Sequence, residues 1–582
     1  MKLNFTTLLA FVLISFSVTA QTWQWGGRHG SGWQIPNSEE EEPFDITTDV
    51  YGNVYCVSLA YPNGTPSVDT NYLPHFGSNA GNVLLTSYNC EGKYRWSHIV
   101  GSGSGSYAKS VKTDYEGNVY LFANIFTNGA PVYLDLDTII NGNQRNQYLF
   151  KFDSAGAMQW VTTPVTDTID FFVAYGSSFP VDMDVDGAGN VTLISVLPKG
   201  NNLGGQITLA EPTTYALRYN KDGVYQSGVA LPYTCTGLKA SYRLSTRAAV
   251  SDNGNIIISG YRFYIPQDTI IINGAMVKSK AYVASFSPTG QFLWKQEFKA
   301  HQGVIANEIF LHRAATDGNN AVYLSGAAAH LDTIAGFVAN NVLYQNAAGM
   351  PLIIKLDVNG NLVWGKAALV NAAAIASGVA VSNNKVAISG TYSLKLKWDL
   401  NATDSLNHAN NQGWDPFVAV FDAQTGALLS LDSLTGNSGQ TEWGWMVAAD
   451  NNASFYVAGQ FDQYMYIGNS AVQAFGSWDV YVAKYGSDNC TFTIPNAVND
   501  IAENNIDFTV YPNPANSMAF IKLNTSVNGS LSLYNITGQQ VYSQLLNSNT
   551  SLAQLSLNYP AGIYFVTLTD NGKRLTKKLV IE

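Results

Sequence analysis

Between residues 21 and 486, apolar and polar residues alternate with a period of two in short runs, and Asn, Asp and Gly separate the runs. Such alternation predicts half-buried β-strands joined by tight turns. Beyond the first 20 residues, no long segment carries the 3.6-residue apolar period of a helix. The pattern also repeats. One element reads TDVYGNVYCVS at 48, TDYEGNVYLFA at 113, VDGAGNVTLIS at 185 and SDNGNIIISG at 251, with looser copies at 316, 382 and 449. Aligned on Val54, Val119, Val191, Ile256, Val322, Val386 and Phe455, the seven copies are spaced by 65, 72, 65, 66, 64 and 69 residues.

A second element lies between successive copies, as in YLFKFDSAGAMQW at 148 and LIIKLDVNGNLVW at 352. Its chemistry is that of a hairpin: the Asx side chain caps the turn, and Gly takes positive φ. The aromatic that ends many copies (Trp96, Trp160, Trp294, Trp364) is expected to be a core wedge. A further strand fits between the two elements, in segments such as VYLDLDTII and YMYIG. Four short strands per unit, repeated seven times, predict a seven-bladed β-propeller. The seventh unit stops after WDVYVAKYGSDNC, without its last strand, whereas the segment TWQWGG at 22 has that strand's pattern. Trp23-Gln24-Trp25 matches Tyr94-Arg95-Trp96, so the N-terminal strand is expected to complete the last blade and remove two exposed sheet edges.

Composition narrows the function classes. A formal charge of −11 speaks against nucleic acid, because phosphate recognition rests on Lys and Arg. Lys2, the apolar run Leu8–Val18 and the small residue Ala20 form a signal peptide over 1–20, with cleavage between Ala20 and Gln21. No run reaches the length of a membrane span. Cys56, Cys90, Cys235 and Cys490 allow three pairings, among which the spacing does not choose.

The repeat resembles the bacterial propeller units called SBBP repeats, on Gly52-Asn53-Val54-Tyr55, Gly117-Asn118-Val119-Tyr120, Trp478-Asp479-Val480-Tyr481 and Lys151-Phe152-Asp153. That resemblance implies the fold of residues 21–486. A polar, Asn-rich stretch over 487–507 reads as a linker. Residues 508–582 then form a compact run of alternating strands, predicted as a small β-sandwich. They resemble the type A C-terminal sorting domain of the type IX secretion system, on Tyr511-Pro512-Asn513-Pro514, Gly538, Gly562-Ile563-Tyr564 and the closing Thr576-Lys577-Lys578-Leu579-Val580. Membership implies Sec export, passage through the outer membrane, partnership with the type IX machinery, and release or attachment at the cell surface.

Candidate chemistry is sparse. Asp182-Met183-Asp184-Val185-Asp186-Gly187 has the opening of a calcium loop, with Asn190 at a further ligand position, so these four residues are the candidate Ca²⁺ ligands. Against this, the twelfth position is Leu193, and Asp186 occupies the ordinary repeat turn. The seven histidines are scattered and expected to pack or face solvent, and the run Glu39–Glu42 is expected to be a solvated loop. No catalytic set is visible at equivalent axis-facing positions. The expectation is therefore a secreted or surface-attached propeller that binds a glycan or protein ligand without catalysis or a resident cofactor. The alternatives are an extracellular propeller hydrolase or lyase acting on polysaccharide, and a passive structural envelope component.

Overall fold

The computed structural model describes residues 21–582 except 32–40, 165–181, 237–245, 262–268, 299–308, 329–348, 491–507 and shorter connecting segments. The predicted signal peptide, Ala20 included, lies outside the described residues. The chain divides into two units, Met1–Ile494 and Pro495–Glu582. The first extends beyond the expected boundary at 486, because Cys490 is disulfide-bonded to Cys90.

The first unit is all-β and propeller-like. It holds seven antiparallel sheets with four principal strands each, and smaller two- and three-stranded sheets lie beside them. Each sheet begins with a short strand: Pro43–Thr48, Ser106–Thr113, Asp182–Val185, Thr246–Val250, Ile309–Thr316, Ala374–Ser382 and Trp443–Ala449. These first strands pack against one another in chain order, and that of the seventh sheet packs against that of the first. The second strand of each sheet is the conspicuous G-N-V-Y-like element, almost wholly buried. The third and fourth strands are the expected hairpin. The extra segments take another place than expected: Val132–Leu134 with Asp137–Ile140 forms a hairpin that extends the first sheet beyond its outer strand, and Tyr464–Ile467 with Ser470–Gln473 forms a hairpin in a separate three-stranded sheet. The true first strands precede the recurrent element.

Turn chemistry explains the regularity. Asp49 accepts hydrogen bonds from the Tyr51 and Asn53 amides, and its other oxygen accepts one from the Tyr55 hydroxyl at 2.8 Å. Asp114 with Tyr120, Asp317 with Tyr323 and Asp450 with Tyr456 repeat this arrangement. An Asx side chain that mimics a backbone turn, tied to a buried tyrosine, pins each hairpin to its core.

The outer-strand tryptophans pack against the hydrophobic cores between neighbouring sheets, and they also latch one sheet to the next. Trp96 Nε1 donates to the Ser154 carbonyl, Trp160 to Lys221, Trp294 to Val358 and Trp364 to Ala423, each acceptor lying in a turn of the following sheet. The indole covers a turn glycine with φ near +80° or +90°, as at Gly156 and Gly360, where a Cβ would meet the ring within 3 Å. Only glycine suits both demands.

Trp25 does the same across the chain ends. The strand Thr22–Gly30 pairs with Asp479–Gly486 as the outer strand of the seventh sheet, and Trp25 Nε1 donates to the Cys90 carbonyl at 2.7 Å. The slip in register between Trp23 and Trp25 equals that between Tyr94 and Trp96 in the first sheet. The Cys90–Cys490 disulfide crosses the same boundary. Cys56 and Cys235 are buried and form no disulfide among the described residues.

The second unit has two sheets, of three and four strands, around a core that includes Phe508, Leu533, Val566 and Leu579. Tyr511 ends the strand Phe508–Tyr511, and the bonds preceding Pro512 and Pro514 are cis. Asn513 ties that turn to the last strand: its amide donates to the Lys578 carbonyl, and its side-chain oxygen accepts from the Val580 amide. Gly562, Ile563 and Tyr564 open the strand Gly562–Asp570. Lys577 donates to the Phe508 carbonyl and lies 5.2 Å from the Phe508 ring centre. Gly538 lies outside the described residues.

Candidate functional site at the sheet axis

The first strands converge, so their side chains are the ones able to meet across sheets. Register defines one equivalent position in all seven, occupied by Asp45, Ser110, Asp182, Arg247, Arg313, Gly378 and Met446. Five sheets place a polar or charged residue there. In five sheets the strand carries a one-residue bulge just before this position, which presents Phe44, Lys109, His312, Ser377 and Trp445. Bulges re-aim side chains and are common beside functional sites. This set of polar and charged residues at equivalent positions was not visible in the sequence. Its members are about 65 residues apart in the chain and come from strands that share no local motif.

Two arginines cross the axis. Arg313 of the fifth sheet donates to Asp45 of the first at 2.9 Å and to the Phe44 carbonyl at 2.8 Å. Arg247 of the fourth donates to the Lys109 carbonyl of the second at 2.9 Å and approaches Asp182 at 3.9 Å. Asp45 also accepts from Lys112 at 3.0 Å and from Ser110 and the Val111 amide at 3.1 Å. Burial opposes its ionisation, yet Lys112, Arg313 and Arg247 hold its carboxyl well below the usual range. Lys112 keeps 28% of its side chain exposed. Burial works against its charge, while Asp45, Asp182 and Asp184 raise its pKa and keep it protonated.

Lys109 differs. Burial first, then the Arg247 guanidinium, pulls its pKa down to about 8. Among the described residues its ammonium makes no hydrogen bond or ion pair. Three carboxylates, Asp45, Asp182 and Asp184, face four cations, Lys109, Lys112, Arg247 and Arg313, leaving one net positive charge in a chain of −11. The arrangement can hold an anionic group against the guanidiniums while Lys109 exchanges a proton.

The candidate calcium ligands do not converge. Asp182 and Asp184 accept hydrogen bonds from the Ala248 and Val250 amides of the next sheet. Asp186 caps its own turn through the amides of Ala188 and Asn190, and Asn190 donates its side-chain amide back to Asp186. Among the described residues, no three His, Cys, Asp or Glu side chains form a group able to hold a metal ion. Glu41, expected in a solvated loop, is 3% exposed and accepts from the Ser31 amide. His29 is fully buried, and burial lowers its pKa to about 3.

Residues 509–582 match the model of the secretion system C-terminal sorting domain. The tail directs the chain through the type IX secretion system to the cell surface or the extracellular space, and no helix among the described residues is long and apolar enough to cross a membrane. A curated relative, the endo-acting ulvan lyase of Formosa agariphila, is 30% identical over 77 residues. The match spans 13% of this chain and about 15% of the relative's length. Among solved structures, the β-propeller domain of the Trilobed protease from Pyrococcus furiosus is similar at 8% identity and TM-score 0.33, over 75% of this chain and 98% of that one. An ulvan lyase structure is similar at 10% identity and TM-score 0.32, over 72% and 91%. The expectation of a protein without catalysis is corrected by the curated match, because that relative is an enzyme.

Proposed function

We propose that this chain, after loss of residues 1–20, is a seven-bladed propeller closed by the strand Thr22–Gly30, and that it is an extracellular lyase acting on an anionic polysaccharide at its axis. The observation that carries the reading is the axial cluster: two arginines laid across the axis beside a lysine whose ammonium makes no hydrogen bond or close ion pair among the described residues. The export tail and the similarity to an ulvan lyase support an extracellular polymer as substrate.

The chemistry is a β-elimination. Arg247 and Arg313 neutralise the carboxylate of a uronate residue, which acidifies the proton on the adjacent carbon. Neutral Lys109 takes that proton. The electron pair forms a carbon–carbon double bond and expels the glycosidic oxygen, which receives a proton from Lys112. The products are a chain with a free hydroxyl end and a chain ending in an unsaturated uronate, and no water is consumed. Lys112 recovers its proton from solvent through the channel, and Lys109 returns its own.

Incubation of the mature protein with a panel of uronate-containing polysaccharides tests the reading. The expected result is an ultraviolet-absorbing unsaturated product and a rapid drop in polymer length. Folded protein that yields no such product from any member of the panel contradicts it.

A further inference from the structure

A second group of buried charges lies at the outer strand of the seventh sheet, apart from the axial cluster. Arg28 and Gly30 share one face of the strand Thr22–Gly30, and Asp479 begins the strand paired with it. Glu41, just ahead of the first sheet's first strand Pro43–Thr48, reaches the same place. A Cβ on Gly30 would collide with both Asp479 Oδ1 and Glu41 Oε2, so the two carboxyls converge on one point that glycine leaves open. Both residues are buried. Asp479 Oδ2 accepts from Arg28 at 2.7 Å and from the Phe475 amide at 2.6 Å. The Ser31 amide donates to both Glu41 oxygens at 2.8 Å, the Ser31 hydroxyl donates to Oε1, and the Tyr61 amide adds a further bond. The Gln460 side chain donates to the Glu41 carbonyl at 2.7 Å. Asp479 Oδ1, by contrast, is buried with no hydrogen-bond partner among the described residues. Two buried carboxylates side by side repel, and a buried oxygen without a donor is a cost. One proton on Glu41 Oε2, directed at Asp479 Oδ1, removes both. Burial first, then Asp479, holds the Glu41 carboxyl well above the ordinary carboxylate range. The other charged or titratable groups at this place are Arg28, which also bonds Ser67 and the Asp69 carbonyl; Asp69, whose side chain accepts from the Arg28 amide; and Glu42, the next residue. His29 lies on the opposite face of the strand, and its pKa of about 3 keeps it neutral at any higher pH.

We infer that Glu41 and Asp479 form a carboxylic acid–carboxylate clamp that joins the strand Thr22–Gly30 to the first and seventh sheets, and that loss of the clamp's one proton at alkaline pH opens that strand. The folded state holds a proton that the unfolded state has lost at neutral pH. The stability this gives is complete below the ordinary carboxylate range and disappears as pH rises through the raised value. Once the proton leaves, two negative charges share one guanidinium, and Glu41 is driven away from Asp479. Its bonds to Ser31 and Gln460 then loosen, and with them the end of the strand. An outer strand opens at lower cost than the central strands of its sheet, so the release stays local. The clamp is independent of the lyase reading.

The test is amide hydrogen exchange of the mature protein from about pH 5 to about pH 10, expressed as protection so that the chemical dependence of exchange on pH drops out. In the wild type, protection of Thr22–Gly30 is expected to fall about tenfold or more on the alkaline side, while Phe455–Phe461, the second strand of the same sheet, keeps its own. Glu41→Gln places a permanent donor where the proton was, so the step should vanish and protection should stay high throughout. Glu41→Ala removes the clamp and should give low protection of Thr22–Gly30 at every pH. Glu442 also loses a proton on the alkaline side, so Glu442→Gln is the control, and the Thr22–Gly30 step should persist in it. A flat wild-type profile over Thr22–Gly30 overturns the clamp, and so does a step that survives in Glu41→Gln. The wild-type profile decides even where a variant fails to fold.

Discussion

The first five sheets and the last two share one repeat, yet they treat the axis differently. At the same register position the former carry Asp45, Ser110, Asp182, Arg247 and Arg313, and the latter carry Gly378 and Met446. Two residues further along, the second and third sheets carry Lys112 and Asp184 where the sixth and seventh carry Ala380 and Ala448. The repeat holds each sheet through its Asx turns, buried second strand and tryptophan latches, all away from the axis. The axis-facing positions are thereby free to differ from sheet to sheet. Similar sheets can then carry charge at these positions in one part of the unit and none in another.

Breaking the charged arc should have the largest effect. Arg313→Met removes the guanidinium bonds to Asp45 and the Phe44 carbonyl and should destabilise the first unit by about 3 kcal/mol, the lower end of the cost of breaking a buried ion pair, because Lys112 still lies 3.0 Å from Asp45. Asp45→Asn in the same chain should recover much of that in chemical denaturation. Met446→Leu, at the matching site of the other arc, should cost less than about 1.5 kcal/mol.

The boundary between the arcs comes next. Cys90→Ser removes the only described disulfide of the first unit and should cost roughly 2–4 kcal/mol, read as a lower midpoint matched by adding reductant to the wild type. Trp25→Phe keeps the ring face and loses the bond to the Cys90 carbonyl, so it should cost about 1 kcal/mol. Trp96→Phe should cost the same, because both are one latch used at two boundaries.

The smallest effect concerns pH. Burial first, then Asp415 and Asp462, raises the Glu442 pKa to about 8 from an ordinary 4.5. The folded state thus keeps a proton that the unfolded state has lost. The stability this gives is fully present below about pH 4.5 and is lost as pH rises through 8. Glu442→Gln should flatten the fall in melting temperature over that window.

Much of the scaffold was legible in the sequence, because turns are local. Asp49, Asp114 and Asp317 announce their hairpins within five residues, and the Trp23-Gln24-Trp25 match identified the seventh sheet's outer strand. The sorting tail was equally plain, being a set of short motifs in order. The tryptophans were legible in part: a recurring aromatic at a strand end reads as core, which it packs against, whereas its hydrogen bond to the next sheet's turn is visible only in three dimensions. The site was not legible either. PFDITT, SYAKSVKT, DMDV and TRAAV share no pattern, since each contributes a different residue to one place. Asp182 and Asp184 did stand out, and for the wrong reason: alternate acids suggested a cation loop, whereas they face the next sheet's backbone.

The most direct measurement compares Lys109→Gln with Met446→Leu in the rate of unsaturated-product formation across pH, on variants whose unfolding midpoints match the wild type. The account predicts that the wild type and Met446→Leu gain activity up to about pH 8, where Lys109 becomes neutral, and that Lys109→Gln loses at least about 100-fold together with that pH step. Equal rates and equal profiles in the two variants would contradict it.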